Sequence, residues 1–329
     1  MNKTRSLLAT ALFGLATIAG TAQADMTATA YIDVTNFVIL GSDNEALDFN
    51  TDFVSGSLTF TSSADMDGTL TGTAGFSQSD PNSIVNIDFA AECLGSGCPV
   101  LAENTYPFIT GAQGIDYVTA DQSQIGSPIA NLPGFSTLGA NVGQGAYGSL
   151  TDPTTATGSA NANNGLEANW QFSLAQDQGI SFAGDFRTYL EAFAEAGEVF
   201  PGKASAATSF LITITDIDQN SATFGQVIFS FAPDLLNETT SANANNFGVD
   251  LQTCGNLAAV LGGCGNTDLA GNFLSTTVAL AANNLYQLSI RSNANIDIAR
   301  QEVVVPEPGM LGLLGLSMMG LFLARRRAS

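Results

Sequence analysis

The chain of 329 residues has no histidine, one tryptophan, four cysteines, and nine lysines and arginines against 30 aspartates and glutamates. Each scarcity removes a class of function. Without histidine, neither a Ser-His-Asp nor a Cys-His arrangement can be built, and the commonest general base is missing. A hydrolase would have to rely on two carboxylates, as glycosidases do at about 5 to 10 Å separation. Nothing singles out such a pair, so no enzyme is expected, and a carboxylate-based glycosidase is the catalytic alternative. Four cysteines with no histidine and no CxxC pair do not make a zinc site, and no metal or cofactor is expected. Basic residues are too few to neutralise phosphates, which excludes nucleic acid as a partner. No long heptad pattern appears, and Gly, Ser, Thr, Asn and Ala dominate, a composition suited to short strands and turns rather than a helical bundle.

The two ends are the most specific stretches. Residues 1–24 read as a secretory signal peptide: Lys3 and Arg5 give a positive start, Leu7 to Ala19 an apolar middle, and Ala22-Gln23-Ala24 a small-residue cleavage site that leaves Asp25 as the new N-terminus. Sec machinery and signal peptidase are the implied partners. At the other end, Pro306-Glu307-Pro308 is rigid and extended, since each proline fixes its own φ and pushes the preceding residue out of the helical region. Behind it runs an uncharged apolar stretch of 16 residues, Gly309 to Ala324, closed by Arg325-Arg326-Arg327. At about 1.5 Å per residue such a helix covers about 24 Å, less than a hydrocarbon core of about 30 Å. It crosses with a thinned bilayer or snorkelling arginines, and the arginines hold its far end in the cytoplasm.

In order and spacing, these C-terminal residues resemble the PEP-CTERM sorting signal of Gram-negative surface proteins, which are handled by an exosortase, a membrane-embedded cysteine protease/transpeptidase. The resemblance covers roughly Val305 to Arg327. It implies that Pro306, Glu307 and Pro308 are the recognition motif, that Arg325, Arg326 and Arg327 stop transfer, and that the exosortase is the processing partner. It further implies a precursor anchored in the inner membrane only through this helix, then release to the cell surface or exopolysaccharide matrix. A structural or interaction role in that matrix or in a biofilm is an expectation from the resemblance alone.

Between the ends, residues 25–305 carry four basic and 29 acidic residues, a net charge of about −25. Such a body repels anionic surfaces and stays soluble. Its length suffices for one large all-β domain or two smaller ones, with a seam expected near residue 160. Strands are predicted at 27–40, 53–61, 69–77 and 83–90, forming an antiparallel meander, with Asp65-Met66-Asp67-Gly68 as a tight turn. From Ile115 to Gly165 apolar residues are sparse, and long loops are expected.

The second half alternates more clearly. Residues 166–176 place Trp170, Phe172 and Leu174 on one face; 180–194 read as a strand, although Phe186, Tyr189, Leu190 and Phe193 also fall at helical spacing. With 204–218 that strand is expected to form one long hairpin. Residues 223–232, 273–282 and 285–292 add three strands, the last two joined by a turn at Asn283-Asn284. The fold class is therefore all-β, an antiparallel β-sandwich with the jelly roll as one form, followed by the short transmembrane helix. The short spacings favour two disulfides, Cys93 to Cys98 and Cys254 to Cys264. Asp216, Asp218 and Asn220 begin like an EF-hand loop, but Ser221 and Val227 occupy positions that need Gly and Glu, and a solvated strand end is expected instead. As a sandwich exported to a polysaccharide layer, the body is also a candidate carbohydrate-binding module. Trp170 is its one tryptophan for stacking on a sugar, and the alternation places it in the core. Tyr31, Tyr189 and Tyr286 are equally open to either reading.

Overall fold

In a computed structural model, the described residues are 26–48, 52–67, 69–71, 76–78, 86–98, 104–106, 113–133, 135–151, 158–194, 202–244, 251–254 and 267–300. The expected signal peptide, Asp25 and the whole C-terminal signal, with the transmembrane helix expected there, lie outside them, as does Cys264. In chain order the strands are β1 (Met26–Leu40), β2 (Phe53–Met66), β3 (Thr69–Thr71), β4 (Phe76–Gln78), β5 (Ile87–Leu94), β6 (Tyr117–Ile125), β7 (Ala140–Leu150) and β8 (Gly158–Phe172). Then follow β9 (Gln178–Ala194), β10 (Gly202–Asp216), β11 (Val227–Phe231), β12 (Thr239–Ala244), β13 (Leu251–Cys254), β14 (Thr267–Leu274), β15 (Val278–Leu280) and β16 (Tyr286–Arg300). They form two antiparallel sheets packed as a sandwich, the first ordered β14-β9-β1-β7-β6-β5 with β15 beside β9, the second β13-β12-β10-β16-β8-β2-β3 with β11 and β4 at its edges.

Strand β1 is central in the first sheet, with β7 on one side and β9 on the other; β16 is the middle strand of the second, paired along its whole length with β10 and β8. The first and last strands of the body thus each anchor a sheet. Both point their outer ends to one pole. Met26 starts β1 opposite Leu150 and Ala194, Arg300 ends β16 opposite Gly202 and Gly158, and an Arg300 Nη2 donor lies 3.5 Å from the Leu150 carbonyl. A Cβ on Gly202 would come within 2.2 Å of the Met26 sulfur.

A hydrogen-bonded polar belt crosses the core between the sheets. The Gln122 amide donates to the Thr61 carbonyl (2.8 Å), Gln144 to Gln122 Oε1 (3.1 Å) and Ser292 to Gln144 Oε1 (2.7 Å), while Asn164 donates to the Gly145 carbonyl and accepts from Ser62. All five of these side chains are buried, and the donors are paired because an unpaired buried amide costs about 1–3 kcal/mol. Thr188 and Thr208 extend the belt across the sandwich, their hydroxyls 3.5 Å apart. On the Met26/Arg300 side of it the inward positions are mainly alanine (Ala28, Ala30, Ala146, Ala162, Ala192, Ala204 and Ala206), with Val118, Leu150, Leu190, Ile296 and Ile298; on the far side they include Phe37, Phe182, Phe186, Phe210, Trp170 and Phe172.

Several expectations are corrected. The predicted meander does not form, because β1 pairs with β7 and β9 rather than β2; β2 does turn back into β3 at Asp67 (φ 52°), as expected, but its long partner is β8, and β5 joins the other sheet. The region read as loops, 115–165, contains β6, β7 and the first half of β8. Its inward residues there are mainly alanine, glycine, glutamine and asparagine, with Val118, Val142 and Leu150 too far apart to make a visible apolar alternation. Residue 160 falls inside β8, and strands from both sides of it pair within each sheet. Residues 180–194 are strand, not helix, yet β9 and β10 do not form a hairpin: β9 is held by β1, β14 and β15, and β10 by β16, β12 and β11. Asn283 has the positive φ expected of it (61°), but it leads from β15 in one sheet to β16 in the other.

Candidate functional site

Five of the six tyrosines, Tyr31, Tyr106, Tyr117, Tyr147 and Tyr189, gather on the outer face of the first sheet. Four project from β1, β6, β7 and β9 at alternate positions, and registry sets Tyr31 beside Gly145 on β7 and beside Tyr189 on β9. Gly143 and Gly145 leave the space for the fifth: a Cβ on either would come within 2.8 Å of the Tyr106 ring. Tyr106 stacks on Tyr31 with ring centroids 5.2 Å apart, and its hydroxyl lies 3.3 Å from the Gly143 carbonyl. The neighbouring Asn104 holds the cover down, donating its backbone N–H to Asp121 (2.8 Å) and its amide to Asp88 (2.9 Å).

Acids alternate with the phenols. Tyr31 donates to Asp33, two residues on along the same strand, and Tyr189 donates to Glu191 in the same relation. Arg187 sits opposite Asp33 in the register. Burial pushes the Tyr31 phenol far up, and the Asp33 carboxylate adds to it; burial likewise raises Tyr106, with Asp121 next in effect. Tyr117 is pushed up to about 12 by burial, and Tyr147 well above its usual value. Burial also raises Asp33, against the lowering effects of the Tyr31 hydrogen bond and Arg187. These phenols stay neutral at any physiological pH. Two buried hydroxyls in the layer, Tyr147 and Ser149, find no hydrogen-bond partner among the described residues. Among the described residues the layer is a closed, hydrogen-bonded second core beneath Tyr106.

The outer face of the second sheet is different. Its rows read Ser205–Asp297–Asn161–Asp65, Ala207–Asn295–Asn163–Ser63, Ser209–Asn293–Gly165–Thr61 and Leu211–Arg291–Glu167–Thr59 across four strands. Asn293 donates to Asn163 (3.0 Å), and Arg291 forms an ion pair with Glu167 (2.9 Å). The amide of Asn169, together with Arg291, holds the Glu167 carboxyl below its usual range. A shallow depression of about 340 Å³ opens over Gly165 between Thr61, Glu167, Arg291 and Asn293. With Lys203 the face carries two bases and three acids, nearly neutral in a chain this acidic.

The residues expected to carry function fall as follows. Trp170 is buried between the sheets with its ring over Gly56, so it offers no surface for stacking on a sugar. Tyr286 is buried as well, whereas Tyr31 and Tyr189 belong to the outer layer under Tyr106. The Cys93–Cys98 disulfide is present, closing a short loop at the end of β5 (Cα–Cα 5.8 Å). Its expected counterpart, Cys254 to Cys264, needs Cys264, which lies outside the described residues, as do Ala22, Ala24, Asp25 and the C-terminal motif residues. Asp216 is not a solvated strand end: it is buried, and although burial works to raise its pKa, hydrogen bonds from Ser221, Thr223 and the Asp218 N–H prevail and lower it. The loop's own donors occupy the carboxylate. Among the described residues, no cluster of three or more acids or cysteines is arranged to hold a metal. Sequence reasoning missed Asp33, Tyr106, Tyr117, Asp121 and Tyr147; the available signal was the repeated Tyr-x-acid spacing of Tyr31/Asp33 and Tyr189/Glu191.

Compared with known proteins, residues 304–327 match the PEP-CTERM protein-sorting motif. That motif implies processing by an exosortase and an exported, membrane-anchored precursor sorted to the cell surface. No curated protein and no solved structure matches the chain.

Proposed function

We propose that the body of this exosortase-sorted protein is a non-catalytic building or interaction component of the extracellular polysaccharide matrix. The observation that carries the reading is the C-terminal motif, with Pro306-Glu307-Pro308 ahead of a short apolar run and the arginine cluster. A strongly anionic sandwich with a closed second core suits a durable soluble module better than a flexible linker. Replacing Pro306-Glu307-Pro308 by three alanines should leave a full-size precursor in the membrane fraction, read by intact mass and fractionation. Unchanged maturation would count against exosortase handling.

A second reading, binding of a neutral exopolysaccharide, is favoured by the outer face of the second sheet. Its rows of amides and hydroxyls and its near-neutral charge suit hydrogen bonding to a hydroxylated polymer, without aromatic stacking. Pull-down on neutral polysaccharides, repeated with Asn163→Ala, Arg291→Ala and Asn293→Ala combined, tests it. Retention unaffected by the triple substitution would remove that face from consideration.

A further inference from the structure

The outer face of the second sheet holds two depressions of nearly equal size, and the same chemistry lines both. The one over Gly165, of about 340 Å³, is ringed by Arg291, Glu167 and Asn293 with the hydroxyls of Thr61 and Ser209. The other, of about 320 Å³, opens over Ala207 on β10 and is ringed by Lys203, Asp297 and Asn295 with the hydroxyls of Ser205 and Thr239. Each offers one base, one acid, one amide and several hydroxyls, around a floor residue with little or no side chain. Two of the four bases of a strongly acidic body thus stand on one face, one at each depression.

These polar groups are not spent on one another. The side chains of Lys203, Asn295 and Asp297 are exposed and have no hydrogen-bond or ion-pair partner among the described residues. Glu167 accepts from both Arg291 and Asn169 at Oε1, which leaves Oε2 open, and Asn293 spends an amide N–H on Asn163 but keeps its own carbonyl oxygen. Water satisfies such groups, so a ligand that displaces it has to donate and accept at the same place. Sugar hydroxyls do both: neighbouring hydroxyls donate to a carboxylate and accept from an amide, an ammonium or a guanidinium. Gly165 and Ala207 lie two strands apart across β8, β16 and β10, and two residues apart along them. At the usual strand spacing and rise the two floors are about 12 Å apart. One sugar fills one depression, and only a chain of several reaches both. Between them β16 supplies Asn293 to one and Asn295 to the other.

We infer that the two depressions are paired subsites for a single neutral polysaccharide chain, which crosses β16 on the diagonal from Lys203 to Arg291. This rests on the polysaccharide-binding reading above and adds a length requirement to it: the face holds a polymer and releases short fragments. The chain is neutral because the net charge of the body repels an anionic polymer. Two shallow, weak subsites bridged by one molecule bind it about 10²- to 10⁴-fold more tightly than either does alone. That arrangement keeps the body on a matrix strand without saturating it with free sugar.

The test uses the protein collected from its native host and that host's neutral exopolysaccharide, partly hydrolysed and sorted by length. Equilibrium dialysis should count two disaccharides per wild-type chain, and long fractions should bind about 100-fold more tightly than the disaccharide. Lys203→Ala combined with Asn295→Ala should leave one disaccharide per chain and bring the long fractions down to disaccharide affinity. Arg291→Ala combined with Asn293→Ala should do the same, and urea midpoints report that each variant is folded. A wild-type count of one, long fractions held no more tightly than the disaccharide, or a double variant that holds them at wild-type strength would overturn the pairing. If the triple substitution at Asn163, Arg291 and Asn293 abolishes retention while Lys203→Ala with Asn295→Ala changes nothing, the pairing fails and the binding face stands. If the triple substitution leaves retention unaffected, or no fraction is retained, the binding face itself falls and the pairing with it.

Discussion

The polar belt divides the sandwich into two halves that solve the packing problem in opposite ways. On the half far from Met26 and Arg300, phenylalanines fill the space between the sheets: Phe182 stacks with Phe37 and Phe229, and Phe37 meets Phe210 edge to face. On the Met26/Arg300 half the inward positions are mainly alanine, and the large rings sit outside instead, as the tyrosine layer over the first sheet. Alanine on both inner faces requires the sheets to approach closely, because protein interiors tolerate few voids. Glycine continues the pattern: a Cβ on Gly148 would come within 2.7 Å of Ile296. The thin half gains its bulk from a layer whose phenols and acids hydrogen-bond among themselves.

Truncation of a ring should give the largest effect. Phe182→Ala is expected to cost about 3–5 kcal/mol in denaturant unfolding of the secreted body, against about 0.5–1.5 kcal/mol for Ile298→Val in the alanine half. Equal costs would break the contrast. A smaller effect compares two alanines on one strand, Ala162 and Ala168 of β8. Ala168 lines a small apolar cavity of about 40 Å³ beside Trp170 and Phe37, whereas Ala162 packs in the close-approach half. Ala162→Val should cost about 1–3 kcal/mol through overpacking, and Ala168→Val should be neutral or stabilising, both read from urea midpoints. If the two substitutions cost the same, the halves do not differ in sheet spacing.

The same division decides what can be read from the chain. Within β8, the phenylalanine-side half LEANWQF alternates visibly and reads as strand, while the alanine-side half GSANANNG reads as loop. Strand β16 differs: its expected end is Ser292, although Ala294, Ile296 and Ile298 carry the alternation on to Arg300. Apolar periodicity signals a strand only where the inward side chains are large. Strand partners are illegible for another reason: β1 and β16 find neighbours far along the chain, and pairing by sequential hairpins cannot anticipate that. The sorting signal is legible because its chemistry is local. The tyrosine layer is not, since it depends on registry between β1, β7 and β9 and on the cover around Tyr106, although the Tyr-x-acid spacing hints at it.

The smallest expected effect tests whether the outer layer supports the thin half at some electrostatic cost. Burial raises the Asp33 pKa, with the Tyr31 hydroxyl and Arg187 working the other way. A carboxyl whose folded pKa lies above its unfolded value binds its proton more tightly in the native state. Its contribution to stability is complete below the unfolded value and is lost as pH rises through the folded one. At neutral pH the ionised Asp33 therefore weighs against the fold. An asparagine side chain in its place would keep an acceptor for Tyr31 without a charge, so Asp33→Asn should raise the midpoint temperature at pH 7 by no more than a few degrees, given that 1 kcal/mol moves a domain of this size by about 2–4 °C. The gain should shrink as pH falls through the carboxylate range, because the native aspartate then becomes neutral too. Thermal scans of both proteins across that range check the sign. A gain that grows toward acid would mean that attraction to Arg187 outweighs burial at this position, and that the tyrosine layer is held by charge rather than by packing.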